Sequence, residues 1–314
     1  MSTKSNIRRK PKEGDITKRI SRAWLRMCLV PMLLIFVFKY IPMFGIILAF
    51  KNYSYNLGIL GSPWVGFKNF EFFFKSDAFT MLTWNTIRHN AVFIVTGTVA
   101  ALAVAILLYQ VSGRGRKKVF QTILITPHFM SWVVVASMVY ALLMPTGGFV
   151  NTLLGFFGIK PVNWYGVPEA WNFILPIANI WKIVGMDSIM YYAALMGVDQ
   201  TIQEAALIDG ANRRQTMTKV MLPCIVPMML TLVILKIGGI FRADFGMFYQ
   251  LPRDIGVLYP TTDVIDTYIF RSMRAVGDMG MSAAIGLLQS VVGFVLVMLT
   301  NSITKKIDPD SGLF

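Results

Sequence analysis

The chain has 314 residues, 55% of them hydrophobic and only 15% charged, with a mean hydropathy of +0.58. A soluble domain carries about 25% charged residues, so a soluble globular protein is excluded and an integral membrane protein is expected. The formal net charge of +14 would point to nucleic acid in a soluble chain, but here the Lys and Arg residues flank apolar runs, which is how membrane orientation is written. Nucleic acid is therefore not an expected partner, whereas membrane lipid is.

Residues 1–26 carry Lys4, Arg8, Arg9, Lys10, Lys12, Lys18, Arg19, Arg22 and Arg26 against Glu13 and Asp15, a basic segment that the positive-inside rule places in the cytoplasm. The remainder, 27–314, reads as one transmembrane domain. Its first apolar run, Trp24 to Phe50, is too long for a cleaved signal segment and predicts a membrane helix bent near Pro31 or Pro42. Residues 51–83 are rich in aromatic residues and poor in positive charge, as an outer loop lying along the interface would be. The second run, Trp84 to Tyr109, spaces Gly97, Ala101 and Ala105 four apart, a stripe that lets helices approach closely. Arg114, Arg116, Lys117 and Lys118 place its end inside.

The third run, Phe120 to Met144, returns outward. His128 within it has no second ligand at metal spacing and reads as structural. Residues 145–171 form a second external loop. The fourth run, Trp171 to Leu195, is marked by Pro176, Lys182, Gly185 and Asp187, and intramembrane charge marks helices that line something. A polar hairpin, 199–222, follows. Glu204 to Ile208 predicts a short helix, Gly210 a turn residue of positive φ, and Ala211 to Val220 a second amphipathic piece. Leu222-Pro223, with Pro227, is expected to open the fifth helix, which runs to Phe241 and carries Lys236. Residues 242–280 are an external loop long enough for helices of its own. The last run, Met281 to Ile303, spaces Ser282, Gly286 and Ser290 four apart and ends at Lys305-Lys306. The expected fold is an all-α integral membrane protein of about six spans, each near the roughly 20 residues a bilayer needs, with both termini cytoplasmic.

Glu204-Ala205-Ala206, three residues, Gly210, nine residues, Val220, one residue and Leu222-Pro223 resemble the EAA loop of the membrane subunits of type I ATP-binding-cassette (ABC) importers. The single departure is Val220 where that family has Ile, a one-methylene change. Gly61-Ser62-Pro63-Trp64-Val65-Gly66-Phe67 with Asn69-Phe70, and the stretch opening Gln121-Thr122-Ile123-Leu124-Ile125-Thr126-Pro127-His128, resemble the complex-carbohydrate branch of those permeases. The resemblance implies the type I permease fold and a multi-pass subunit of a bacterial cytoplasmic membrane. It also implies assembly with a second, related permease, two cytoplasmic ATPases and an external solute-binding protein, for import of an oligosaccharide or polysaccharide fragment. Glu204, Ala205, Ala206, Asp209, Gly210, Ala211, Arg213, Arg214 and Met217 would then couple to the ATPase, with Glu204 and Asp209 anchoring the hairpin by polar contacts to its own chain or to the ATPase.

No phosphate loop, zinc helix or nucleophile with its base is visible. The chain is thus expected not to be an enzyme and to bind no cofactor or metal itself; ATP and Mg²⁺ belong to the partner subunits. Cys28 and Cys224 are expected to remain free thiols. Trp181, Lys182, Asp187, Tyr191 and Lys236 are the candidate translocation residues. A lysine at such depth needs compensation, and two readings stay open for Lys182 and Lys236: pairing with a carboxylate or helix-end carbonyls, or facing a water-filled cavity. A secondary, ion-coupled carrier and a membrane sensor or assembly protein are the alternative functions. The first would need internal repeats, which are not visible; the second would bind a partner other than an ATPase through the same hairpin.

Overall fold

The computed structural model describes residues 13–307. The charges of the basic segment up to residue 12 lie outside the described residues. Among those described there is no strand, only a bridge between Lys51 and Trp64. The first span, Trp24–Phe50, is the latter part of α1 (Glu13–Ile35) continued by a π turn (Phe36–Tyr40) and a tight 3-10 stretch (Ile41–Phe50). The hydrogen bonding changes at Pro42, whose ring would meet the carbonyl four residues earlier in a regular helix. Pro31, by contrast, lies within continuous α1.

After α2 (Lys68–Phe74) come α3 (Asp77–Gln110), α4 (Arg114–Ile125) and α5 (Trp132–Leu143). Here the structure puts a sharp bend into the expected third span. α4, prolonged by a 3-10 turn over Thr126–Phe129, meets α5 at 97°. Pro127 supplies no N–H to continue the helix, Met130 is extended (ψ 138), and Ser131 restarts the chain as N-cap of α5.

α6 (Phe149–Phe156) lies in the second external loop, and α7 (Trp171–Met196) is the fourth span. The hairpin contains α8 (Gln200–Ile208); its second limb is not separate from the fifth span as expected. Arg213–Gln215, a π turn (Thr216–Met221) and α9 (Leu222–Gly238) make one continuous rod. The π turn lies just ahead of Pro223, as the earlier one does of Pro42, and widens the helix where the ring would collide. α10 (Phe245–Gln250) and α11 (Ile265–Arg271) follow, then α12 (Met279–Ile307). Five helices are long and apolar enough to cross a membrane, and six spans result when the bent pair is taken as one.

The segment 242–280 is woven into the core. Its Met247, Phe248, Leu251, Leu258 and Val264 are buried with Tyr165, Trp171 and Leu175. Burying such side chains is worth about 1.5–3 kcal/mol each where the alternative is water, which holds this segment against α5 and α7. A second cluster joins α3, α7 and the hairpin rod through Ala101, Ala105, Tyr191, Leu195, Met217, Met221 and Ile225. Ala101 and Ala105 are fully buried there, so the small-residue stripe of α3 does bring two helices together. On α12 only the Ser282 end of the corresponding stripe is buried, and Gly286 has open space where a Cβ would stand.

Candidate functional site

The hairpin is built locally. Asp199 caps α8 by accepting from the Thr201 N–H at 2.9 Å, and that backbone hydrogen bond holds its carboxyl below the usual aspartate range. At the far end the N–H of Ala211 reaches the Ala206 carbonyl (2.9 Å) and that of Gly210 the Leu207 carbonyl (3.1 Å). This pair of bonds is a Schellman closure, which needs a left-handed residue at its penultimate position. Gly210 is that residue, with φ 81°. Asn212 and Gln215 then form a reciprocal capping box, each bond 2.9 Å, which starts the second limb.

Glu204, Ala205, Asp209, Gly210, Arg213 and Arg214 are exposed, and Ala206 and Ala211 half-buried. The apolar Leu207 and Ile208 are exposed beside them, Ile208 at 86%. Met217 differs: only 5% exposed, it packs into the cluster with Tyr191 and Leu195 and anchors the hairpin to the bundle. Neither Glu204 nor Asp209 makes a side-chain bond among the described residues. A polar tie to the rest of the chain comes from Gln203, whose Oε1 accepts from the Tyr109 hydroxyl at 2.9 Å. A short helix and the start of the α9 rod, capped by side chains and joined by a backbone closure, thus present a small-residue and apolar tip on a buried root.

The intramembrane candidates do not gather at one place. The Lys182 ammonium donates to the carbonyls of Pro127 (3.4 Å), His128 (3.0 Å) and Met130, and lies 5.1 Å from the centre of the Trp132 ring. It therefore caps the His128 and Met130 carbonyls, which the break between α4 and α5 leaves without helical partners, and shares the Pro127 carbonyl with the Met130 N–H (3.1 Å). Gly185, one turn further along α7, permits this: a Cβ there would stand 1.9 Å from the Leu124 carbonyl oxygen. Lys236 of α9 pairs with Asp187 of α7 at 2.5 Å, both partly exposed. Tyr191 is buried at 1% exposure, and its hydroxyl has no partner among the described residues. Trp181 is 41% exposed and lines an apolar hollow of about 380 Å³ with Met138, Leu142 and Ile174.

Several polar residues that hydropathy passed over are structural organisers. Asn85, His89 and Asn90 of α3 bond the backbone of the 242–280 segment and its approach: Asn85 to Pro260 and Asp263, His89 to Thr261, Asn90 to Ile240 and Arg242. The Trp132 indole donates to Asp244 at 2.6 Å, and Asp244 in turn caps α10. Their signal in the sequence was a run of polar residues inside a predicted span, a place where such groups need partners. Asp263 is buried between Thr267 and Arg271, and burial pushes its carboxyl above the usual range. Among the described residues no cluster of His, Cys, Asp or Glu could hold a metal.

A family model described as "Binding-protein-dependent transport system inner membrane component" matches residues 94–309. The chain is 36% identical, over 93% of its length and 90% of the other, to the polygalacturonan/rhamnogalacturonan transport system permease protein YteP of Bacillus subtilis (strain 168). Its fold is similar to a chain of a crystal structure of a bacterial ABC transporter involved in the import of the acidic polysaccharide alginate. There the TM-score is 0.83 at 34% identity, covering 94% of this chain and 99% of that one. A crystal structure of a bacterial alginate ABC transporter in complex with an alginate pentasaccharide-bound periplasmic protein matches with TM-score 0.81 at 34% identity, over 92% and 97%. With the membrane-length helices and the EAA-type hairpin, these likenesses identify the chain as a member of the binding-protein-dependent transport system inner membrane component family, the permease subunits of ABC importers.

Proposed function

We propose that this permease forms half of the translocation pathway for an oligosaccharide or polysaccharide fragment in a bacterial cytoplasmic membrane. It pairs with a second, related permease, receives its load from an external solute-binding protein, and is driven by two cytoplasmic ATPases that hold the ATP and Mg²⁺. The similarity to a permease named for polygalacturonan and rhamnogalacturonan, and to an alginate importer, supports the saccharide class. The observation that carries the coupling is the hairpin: an exposed Glu204–Arg214 tip, closed by backbone bonds and rooted through buried Met217 in the α3–α7 cluster. A push on that tip reaches the spans as a rigid-body displacement, because the second limb and α9 are one rod.

Co-purification through a tag on this chain tests the proposal. An ATPase should accompany the parent. Gly210→Val costs about 1–2 kcal/mol at a left-handed site and should abolish association and saccharide uptake, as should Glu204→Lys, while membrane insertion persists. An ATPase that stays bound to both variants, with uptake at the parent rate, would remove the hairpin from the coupling. Proton-dependent uptake by this chain alone would install the secondary carrier instead.

A further inference from the structure

The helices α5 and α10 are tied together at their starts by the Trp132–Asp244 bond, and a cavity of about 400 Å³ opens between them. That is the size of a small-ligand site. On α5 it is lined by Ser137 and Tyr140, one face of the helix, and on the other side by Tyr249, Gln250, Arg253 and Asp254. None of these residues was singled out by the sequence, and none belongs to the hairpin or to the Lys182 and Lys236 contacts.

The two charges at the cavity differ in their partners. Asp254 is engaged from behind: Arg271, which also pairs with Asp263, bonds its Oδ1 at 3.2 Å, and Tyr259 donates to the same oxygen at 3.0 Å. Arg253 has no such partner. Its guanidinium lies 4.1 Å from the centre of the Tyr140 ring, and among the described residues it makes no ion pair or side-chain hydrogen bond. The planar fork of donors is therefore unspent beside two tyrosines, a glutamine amide and a serine hydroxyl.

The backbone supports the same reading. Arg253 (φ 59°) and Asp254 (φ 52°) are the only residues other than glycine with positive φ among those described. Side chains resist that conformation, and consecutive cases persist only where surrounding contacts impose them, a pattern concentrated at binding sites. Here the Arg271 and Tyr259 contacts hold Asp254, which turns Arg253 onto Tyr140 and the cavity.

We propose that this cavity is a binding subsite for one uronic acid unit of the transported saccharide, an inference that rests on the importer reading above. The carboxylate meets the Arg253 fork in the two-pronged geometry that arginine favours. The apolar ring face lies against tyrosine, and the hydroxyls bond Gln250, Ser137 and the Asp254 oxygen that Arg271 and Tyr259 leave unbonded. A neutral sugar would leave the guanidinium unpaired on binding.

Equilibrium binding of tetragalacturonate and of its methyl ester to the purified membrane complex tests this, with the solute-binding protein left out so that its selectivity does not intervene. The parent complex should bind the acid more tightly than the ester. Arg253→Gln should weaken the acid about ten- to a hundredfold, the worth of a hydrogen bond between charged groups, and leave the ester unchanged. Arg253→Gly should weaken the acid equally yet raise the melting temperature, because glycine relieves the positive φ; a merely structural arginine would lower it. The inference is overturned by equal binding of acid and ester, by no binding of the acid, by unaltered acid binding in Arg253→Gln, or by a lower melting temperature in Arg253→Gly. Failure of the importer reading is a different result: no ATPase in the purified complex.

Discussion

Asp187 and Lys236 form a pair that neither helix could supply alone. In the sequence Lys182 and Asp187 lie on the same helix five residues apart, out of register for mutual support, so a partner from another helix was required. The structure supplies one for each: carbonyls at the α4–α5 break for Lys182, and Lys236 for Asp187. Lys236→Met should leave Asp187 uncompensated and cost about 1–3 kcal/mol, less than a fully buried pair because both groups are partly exposed. Adding Asp187→Leu should restore the yield of monodisperse complex in detergent. A double variant no better than the single would show that the two residues act independently. Gly185 supplies a second residue-scale outcome. Gly185→Ala places a methyl against the Leu124 carbonyl, so α7 must withdraw, at a cost of about 1–3 kcal/mol or more, read as a lowered melting temperature.

At the scale of elements, what could be read beforehand was whatever depends on local spacing. Gly210 marked the turn because only a residue without Cβ enters it freely, and the apolar runs marked the spans. The break in the third span was hidden, since a hydropathy window adds residues without regard to direction and Pro127 to Ser131 interrupt the apolarity only slightly. Lys182 was obscure for the same reason: two of its acceptors, the His128 and Met130 carbonyls, exist as free groups only because of that break. The uronate cavity was invisible as well, because its two walls are more than a hundred residues apart in the chain and its arginine stands in a segment that reads as loop. The break and Lys182 should therefore fail together. Lys182→Met should strip the cap from His128 and Met130 and expose the α4–α5 joint to proteolysis, whereas Lys182→Arg should preserve protection. Equal resistance of parent and Lys182→Met would assign the carbonyls another partner.

The whole molecule has two ends, and their identity follows from contacts. Gly280, at the start of α12, packs against the Lys51 carbonyl, so α12 begins beside the end of the first span and Ser302 lies towards its far end. α3 begins near α2 and, at 1.5 Å per residue, carries the chain about 50 Å to Gln110. There Tyr109 bonds Gln203 of the hairpin. Ser112 and Ser302 thus share the hairpin end, and Asn56 belongs to the opposite one; all three are exposed. The basic residues Arg114, Arg116, Lys117, Lys118, Lys305 and Lys306 also collect at the hairpin end, and positive charge is retained inside. In a background lacking the exposed thiols Cys28 and Cys224, a cysteine at Asn56 should react with an impermeant maleimide added to intact cells. Cysteines at Ser112 and Ser302 should react only after the membrane is opened. Labelling at Ser112 from outside would turn the hairpin away from any cytoplasmic ATPase, and labelling at Ser302 alone would separate α12 from the end that the Gly280 contact assigns to it.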